Sequence, residues 1–257
     1  MKTPRFFCSL PLVAHKSLVL PQEVAHHVRV LRLKKGEVFT LFDGQGQEFQ
    51  TQLSVDIKQN SSSAPISVEL SAATEVDRER KGQITLIQGL ATADKMDWVI
   101  EKAVELGVHR VIPVSAHRSV LRLDERRALK KHLHWQRIVQ SASEQCGRNV
   151  LMQVDLTCSL EQALKSQVTP EHDKNNDMLW VANPMGARPL SECIEQSAKT
   201  ITSVAIAIGP EGGWSEQEIA ICLKIASAQT ISLGPRVLRT ETAGLAAVSM
   251  IGAYLNW

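Results

Sequence analysis

From residue 74 onward the chain alternates short apolar runs with longer amphipathic ones, and this alternation constrains the fold more than any other feature. QITLIQGL precedes DKMDWVIEKAVELG, which Gly107 ends; HRVIPV precedes DERRALKKHLHWQRIVQSASEQCG, which Gly147 ends; MQVDL precedes LEQALKSQ. MLWVAN, SVAIAIGP and QTISLGP follow, each a short apolar run that opens into a loop and then a helix. Strands apolar on both faces need cover on both faces, and strands joined through helices run parallel. The expectation is an α/β domain, a parallel sheet between helices. Such sheets gather ligands at the carboxyl ends of their strands, so the loops after the last three runs are where chemistry is expected.

Residues 1–73 follow another pattern. VFTLF stops at Asp43-Gly44-Gln45-Gly46, FQTQLSVDI stops before Asn60, and ISVEL follows. Asp-Gly between β-rich runs signals a hairpin, so this part predicts a small β-barrel or sandwich with one short helix around Val24 to Arg32. The charged stretch TEVDRERKG has no apolar periodicity and reads as a link, which divides the chain into domains 1–73 and 74–257. Charge is nearly balanced overall, 29 Lys+Arg against 27 Asp+Glu, but Arg110 to Arg148 carries nine basic and three acidic side chains. That excess suits a polyanion, or simply a solvated helix face. The five cysteines are odd in number and never in C-x-x-C spacing, which argues against a disulfide framework and a zinc site. No apolar run reaches the roughly 18 residues of a membrane span, and the start lacks a signal-peptide core, so a cytosolic location is expected.

Three loops stand out: Ala182-Asn183-Pro184-Met185-Gly186, Gly209-Pro210-Glu211-Gly212-Gly213-Trp214 and Gly234-Pro235-Arg236-Val237-Leu238-Arg239-Thr240-Glu241-Thr242-Ala243. In the second, adjacent glycines let main chain approach a ligand, and Ser215 with Glu218 predicts a capping box on the next helix. It lacks the spacing of a phosphate-binding loop, and Glu211 would repel phosphate. A plain strand-to-helix turn is the bland alternative. In the third loop, Arg236 and Arg239 flank an apolar pair just before a helix that starts at Thr240, where the positive dipole end disfavours cations. Their plain explanation is a surface salt bridge to Glu211 or Glu241.

IGPEGGWSEQE followed by LGPRVLRTETA resembles the signature of the RsmE family, SPOUT-class methyltransferases of ribosomal small-subunit RNA. The likeness extends to ITLIQGLATADKMDWVIEKAVELGV, to SEQCGR, and to PRFF and HHVRVLRLKKGEVFTLFDGQG near the start. The resemblance implies an N-terminal PUA-like, RNA-binding barrel, a C-terminal trefoil knot, and a homodimer with active sites at the subunit interface. It implies methylation of a uridine N3 in 16S rRNA with S-adenosylmethionine as cofactor and no metal. Mapped here, it implies cofactor contacts at Ala182, Asn183, Ile208, Gly209, Pro210, Gly212, Gly213, Ser232, Leu233, Gly234, Val237 and Leu238. Arg239 is the first candidate for stabilising the uracil anion and Arg148 the second, with Glu211 or Glu241 as proton acceptor or arginine orienter. RNA contacts are expected from Arg118, Arg126, Arg127, Lys130 and Lys131, and from Arg5, Arg29, Arg32, Lys34 and Lys35 in the barrel.

Two other functions compete: a non-catalytic RNA-binding assembly factor, and methylation of another RNA atom such as a ribose 2′-hydroxyl. A thiol nucleophile at Cys146 is disfavoured, because His132 and His134 lie far along the same expected helix. Adjacent His26 and His27 read as one packed and one exposed residue, and Trp98 and Trp135 as core.

Overall fold

The computed structural model describes residues 3–54, 64–167, 177–183, 187–197 and 201–257, with the side chains of residues 167 and 177 left aside. The chain forms two compact units, one reaching Glu79 and including Gln140–Leu151, the other made of Arg80–Val139 and Met152–Trp257.

The first unit begins with β1 (Arg5–Phe7), β2 (Ser17–Val19) and α1 (Gln22–Val30), followed by β3 (Val38–Phe42), β4 (Gln47–Leu53) and β5 (Ser67–Glu75). Its sheet has the order β1-β3-β4-β5-β2, with β1 parallel to β3 and the other pairs antiparallel. The Asp-Gly hairpin joins β3 to β4 as expected, and Asp43 Oδ1 accepts from the N–H groups of Gln45 and Gln47 at 2.7 and 3.2 Å. Phe6, Phe39, Leu41, Phe49, Leu53 and Val68 bury the inner face against Val24, Ala25 and Val28 of α1. Residue 74, the expected domain boundary, lies inside β5, and the segment around SEQCGRNV folds with this unit although it is distant in sequence.

The second unit runs β6 (Gln83–Gly89), α2 (Ala93–Glu105), β7 (Arg110–Val114), α3 (Glu125–Cys146), β8 (Gln153–Val154), α4 (Leu160–Gln167), β9 (Asp177–Ala182), β10 (Arg188–Pro189), α5 (Leu190–Ser197), β11 (Ser203–Ile208), α6 (Glu216–Cys222), β12 (Ala228–Ser232) and α7 (Thr240–Leu255); α3 extends past Val139 into the first unit. Seven strands order as β10-β12-β9-β11-β6-β7-β8, every pair parallel. Alternate side chains serve the two helical layers. Ile87 joins Leu179, Val181 and Ala207 against Leu160 and Leu164 of α4 and Cys222 of α6, whereas Leu86 lies under Gly244 of α7. This bears out the α/β reading of the second half.

On α2 the buried stripe is Met96, Val99, Ile100, Ala103 and Val104. Trp98 falls off that stripe and is 44% exposed, so of the two tryptophans expected in the core only Trp135 is buried. Both His26 and His27 are exposed, the latter with its ring 5.9 Å from that of Phe6. Among the described residues no helix is long and apolar enough to cross a membrane. All five cysteines are reduced, and burial pushes the Cys222 thiol up to about 12.

Candidate active site

β9, β11 and β12 lie side by side in the sheet, so the three loops emerge from one edge of it. Between the first and third is a cavity of about 70 Å³, lined by Ala182, Asn183, Ser232, Leu233, Gly234, Val237 and Leu238 together with Ile231, Arg236 and Ala243. Seven of the expected cofactor residues therefore share one wall. Asn183 N donates to Ile231 O at 2.9 Å, which ties the first loop to β12. Gly234 has φ +114, a conformation that side chains resist, and nothing lies within 4 Å of where its Cβ would be. Backbone polar groups beside Val237 and Leu238 make a wall suited to a planar, partly apolar group such as a purine. Pro184, Met185 and Gly186 lie outside the described residues.

The second loop is held from several sides. Gly213 N donates to Pro210 O at 2.8 Å, and the predicted capping box between Ser215 and Glu218 is present at the start of α6. The other oxygen of Glu218 accepts from His117 N at 2.8 Å, and Arg118 donates to Gly212 O at 3.2 Å. A Cβ on Gly209 would stand 2.8 Å from Trp214 N and 2.9 Å from Gly213, so this glycine is demanded by the loop's own closure. Ile208, Gly209, Pro210, Gly212 and Gly213 are not in the cavity wall just described. They connect to it through Thr240, whose Oγ1 donates to Gly209 O at 2.6 Å while accepting from Gln88 Nε2 at 2.9 Å.

Arg239 occupies the N-cap position of α7. Its carbonyl accepts from Thr242 N and Ala243 N at 2.9 and 2.8 Å; its side chain is exposed and, among the described residues, has no hydrogen-bond or ion-pair partner. Neither glutamate offered as its plain partner takes it. Glu211 Oε1 pairs with Lys95 Nζ at 3.0 Å and accepts from Thr92 N at 3.2 Å, and Glu241 Oε2 lies 3.6 Å from the same ammonium. Burial pushes the Glu211 carboxyl up, but hydrogen bonds from its own backbone, Lys95 and Thr92 outweigh that and hold it below the usual range. The bond to Glu211 in turn raises Lys95. Arg148 belongs to the first unit, is buried, and makes a two-pronged pair with Glu79, one prong at 3.0 Å.

The family model described as RNA methyltransferase domain matches residues 78–252, and that of the RNA methyltransferase PUA domain matches 20–60. Ribosomal RNA small subunit methyltransferase E of Bacillus subtilis is 35% identical over 230 residues, covering 90% of this chain and 87% of that protein. The chain belongs to the ribosomal RNA small subunit methyltransferase E family. The enzyme of that name from Neisseria gonorrhoeae, solved with S-adenosyl methionine, superposes with a TM-score of 0.84 at 33% identity, covering 98% and 97% of the two chains. A Legionella pneumophila protein solved with bound cofactor SAM gives 0.86 at 31% identity, covering 98% of each.

Within this methyltransferase E fold the basic residues divide. Arg5 is corrected: its guanidinium pairs with Glu48 at 2.7 Å, bonds Asn149 and lies over Phe42, with 7% of the side chain exposed, so it is not presented to RNA. Arg29 is half-buried and bonds the carbonyl of Ala64. Arg32, Lys34, Lys35, Arg126 and Lys130 are exposed; Arg127 is exposed beside Asp124, and Lys131 lies 3.8 Å from Asp97. Sequence reasoning missed Lys95 and Gln88. Both leave a mark: Lys95 is a cation in the first turn of α2, against the dipole, and Gln88 is an amide in an apolar run.

Proposed function

We propose that this protein methylates N3 of a uridine in small-subunit ribosomal RNA, with S-adenosylmethionine as methyl donor. The observation that carries the reading is the loop cavity together with Arg239, an arginine on the loop that forms the cavity wall and without a partner among the described residues. Family membership and the two cofactor-bound relatives support the choice of donor. The main-chain donors and acceptors of Ala182, Asn183 and Ser232 to Leu238 would hold adenine and ribose, with the Gly209 to Gly213 loop closing the other side. When bound, the donor supplies an electrophilic sulfonium methyl group.

Uridine N3 carries a proton at neutral pH, so attack needs the uracil anion, and a cation beside the ring oxygens favours it. Arg239 fills that role. Arg148, engaged with Glu79, is the weaker candidate. Glu211 is already held as a carboxylate by Lys95 and is a poor base. Glu241, whose Oε2 lies 3.6 Å from the same ammonium against 3.0 Å for Glu211, is the less tightly held of the two and the proton acceptor we favour. Exposed Arg32, Lys34 and Lys35 of the first unit and Arg118, Arg126, Arg127 and Lys130 of the second, with half-buried Lys131, carry the RNA backbone.

The reading includes a trefoil knot, supported by the insertion of β12 between β9 and β10, a small PUA-like barrel, and a cytoplasmic homodimer that packs through α7, where Ser249 and Ala253 are small and exposed. Calorimetric titration with S-adenosylmethionine, followed by methyl transfer to small-subunit RNA, tests the whole. Binding of RNA with neither cofactor binding nor transfer would mark an assembly factor instead.

A further inference from the structure

We infer that Gln88 is a positioning residue that sets the spacing of the two cofactor loops through the Thr240 hydroxyl; this rests on the functional reading above. Gln88 is fully buried at the carboxyl end of β6, amid Leu86, Ile87 and Leu90. Its Nε2 donates to Gly89 O and to Thr240 Oγ1, each at 2.9 Å. A hydroxyl has one hydrogen, and Thr240 gives it to Gly209 O at 2.6 Å. Thr240 can therefore only accept from Gln88, which fixes the orientation of the amide. The cost of that orientation is visible: Oε1 is buried with no hydrogen-bond partner among the described residues and faces Gly244 of α7.

A buried carbonyl without a partner is destabilising, and an apolar side chain of similar volume would pack there without that penalty. Stability alone does not account for an amide in this strand. Its connections do. Thr240 is the first residue of α7 and follows Arg239 and the cavity loop, whereas Gly209 opens the second loop. Two hydrogen bonds, one buried and one partly buried, thus tie both loops to a central strand of the sheet. Pro210 packs on Gly89 at the same point, where a Cβ would lie 2.5 Å from its ring. Lys95 braces the same two segments from solvent, through other atoms.

The test compares Gln88→Met, Thr240→Val, Thr240→Ser and the double variant Gln88→Met/Thr240→Val, by thermal melting, calorimetric titration with S-adenosylmethionine and single-turnover transfer. Gln88→Met removes the orphaned carbonyl together with two donated hydrogen bonds, so it should melt close to the wild-type temperature and yet bind the cofactor about tenfold more weakly, the equivalent of one net hydrogen bond. Thr240→Val should lose as much, Thr240→Ser should keep wild-type affinity, and the double variant should be no worse than either single one, because all act through one relay. Gln88→Met with wild-type affinity and rate, Thr240→Ser failing alongside Thr240→Val, or additive losses in the double variant would overturn the relay. A wild-type protein that binds no S-adenosylmethionine would instead overturn the functional reading on which the relay rests.

Discussion

Arg239 is proposed to carry the chemistry because of what the chain leaves around it. Glu211 and Glu241 are both drawn to Lys95, so among the described residues the arginine faces solvent without a carboxylate partner, which suits the proposed role beside a base whose negative charge grows as the proton leaves. Such a donor helps the transition state more than the bound ground state. Arg239→Ala should slow single-turnover methyl transfer about a hundredfold or more with cofactor affinity little changed, and Arg239→Lys should recover only part of the rate, since an ammonium lacks the planar fork. A defect confined to RNA affinity would reduce the residue to a positioning contact. The two loop glycines separate by mechanism. Gly234→Val strains a backbone at φ +114 beside open cavity space, and should cost cofactor binding with a small loss of melting temperature. Gly209→Val forces a side chain into Trp214 N and Gly213, so it should lower both cofactor affinity and melting temperature; melting unchanged for Gly209→Val would contradict the loop-closure account.

At the scale of elements, what was legible in the sequence was local. The Asp43-Gly44 hairpin, the Ser215 and Glu218 capping box and the start of α7 at Thr240 each depend on residues within a few positions, and all stand where spacing put them. The site's braces were not legible, because their partners are far apart: Gln88 and Thr240 are separated by 152 positions, Lys95 and Glu211 by 116. Arg5 reads as a surface cation until the fold brings Glu48 and Asn149 to it. The Lys95 brace carries a pH signature. Glu211 has its pKa lowered in the folded state, so its contribution is present above the ordinary carboxylate range and disappears as pH falls through the folded value. Lys95 is raised, so its share persists up to its ordinary range and is lost as pH rises through the folded value. Melting curves of wild type and Glu211→Gln should differ at neutral pH and converge in acid; a constant gap would show that the brace is not electrostatic. On α3, replacing Arg126, Arg127, Lys130 and Lys131 with Ala should weaken RNA binding and lower the salt slope by roughly 0.7 to 0.9 per lost phosphate contact. An unchanged slope would assign the RNA to Arg32, Lys34 and Lys35.

For the whole molecule, strand and helix alternation predicted a parallel sheet, and the sheet is parallel throughout. The path of the chain is another matter: residues 140–151 fold with the N-terminal unit, and β12 slots between β9 and β10. Hydrophobic period specifies faces and layers, but carries no information on the order in which parallel strands sit side by side. Family membership establishes a methyltransferase of small-subunit ribosomal RNA, and the central claim proposed beyond it is transfer of the methyl group to uridine N3. The most direct measurement is mass-spectrometric mapping of methylated nucleosides in ribosomal RNA from cells with and without this protein. One 3-methyluridine in small-subunit RNA should vanish without the protein and return when it is restored, but not with Arg239→Ala at limiting expression. An identical set of methylated nucleosides in both strains, or loss of a 2′-O-methylated one instead, would contradict it.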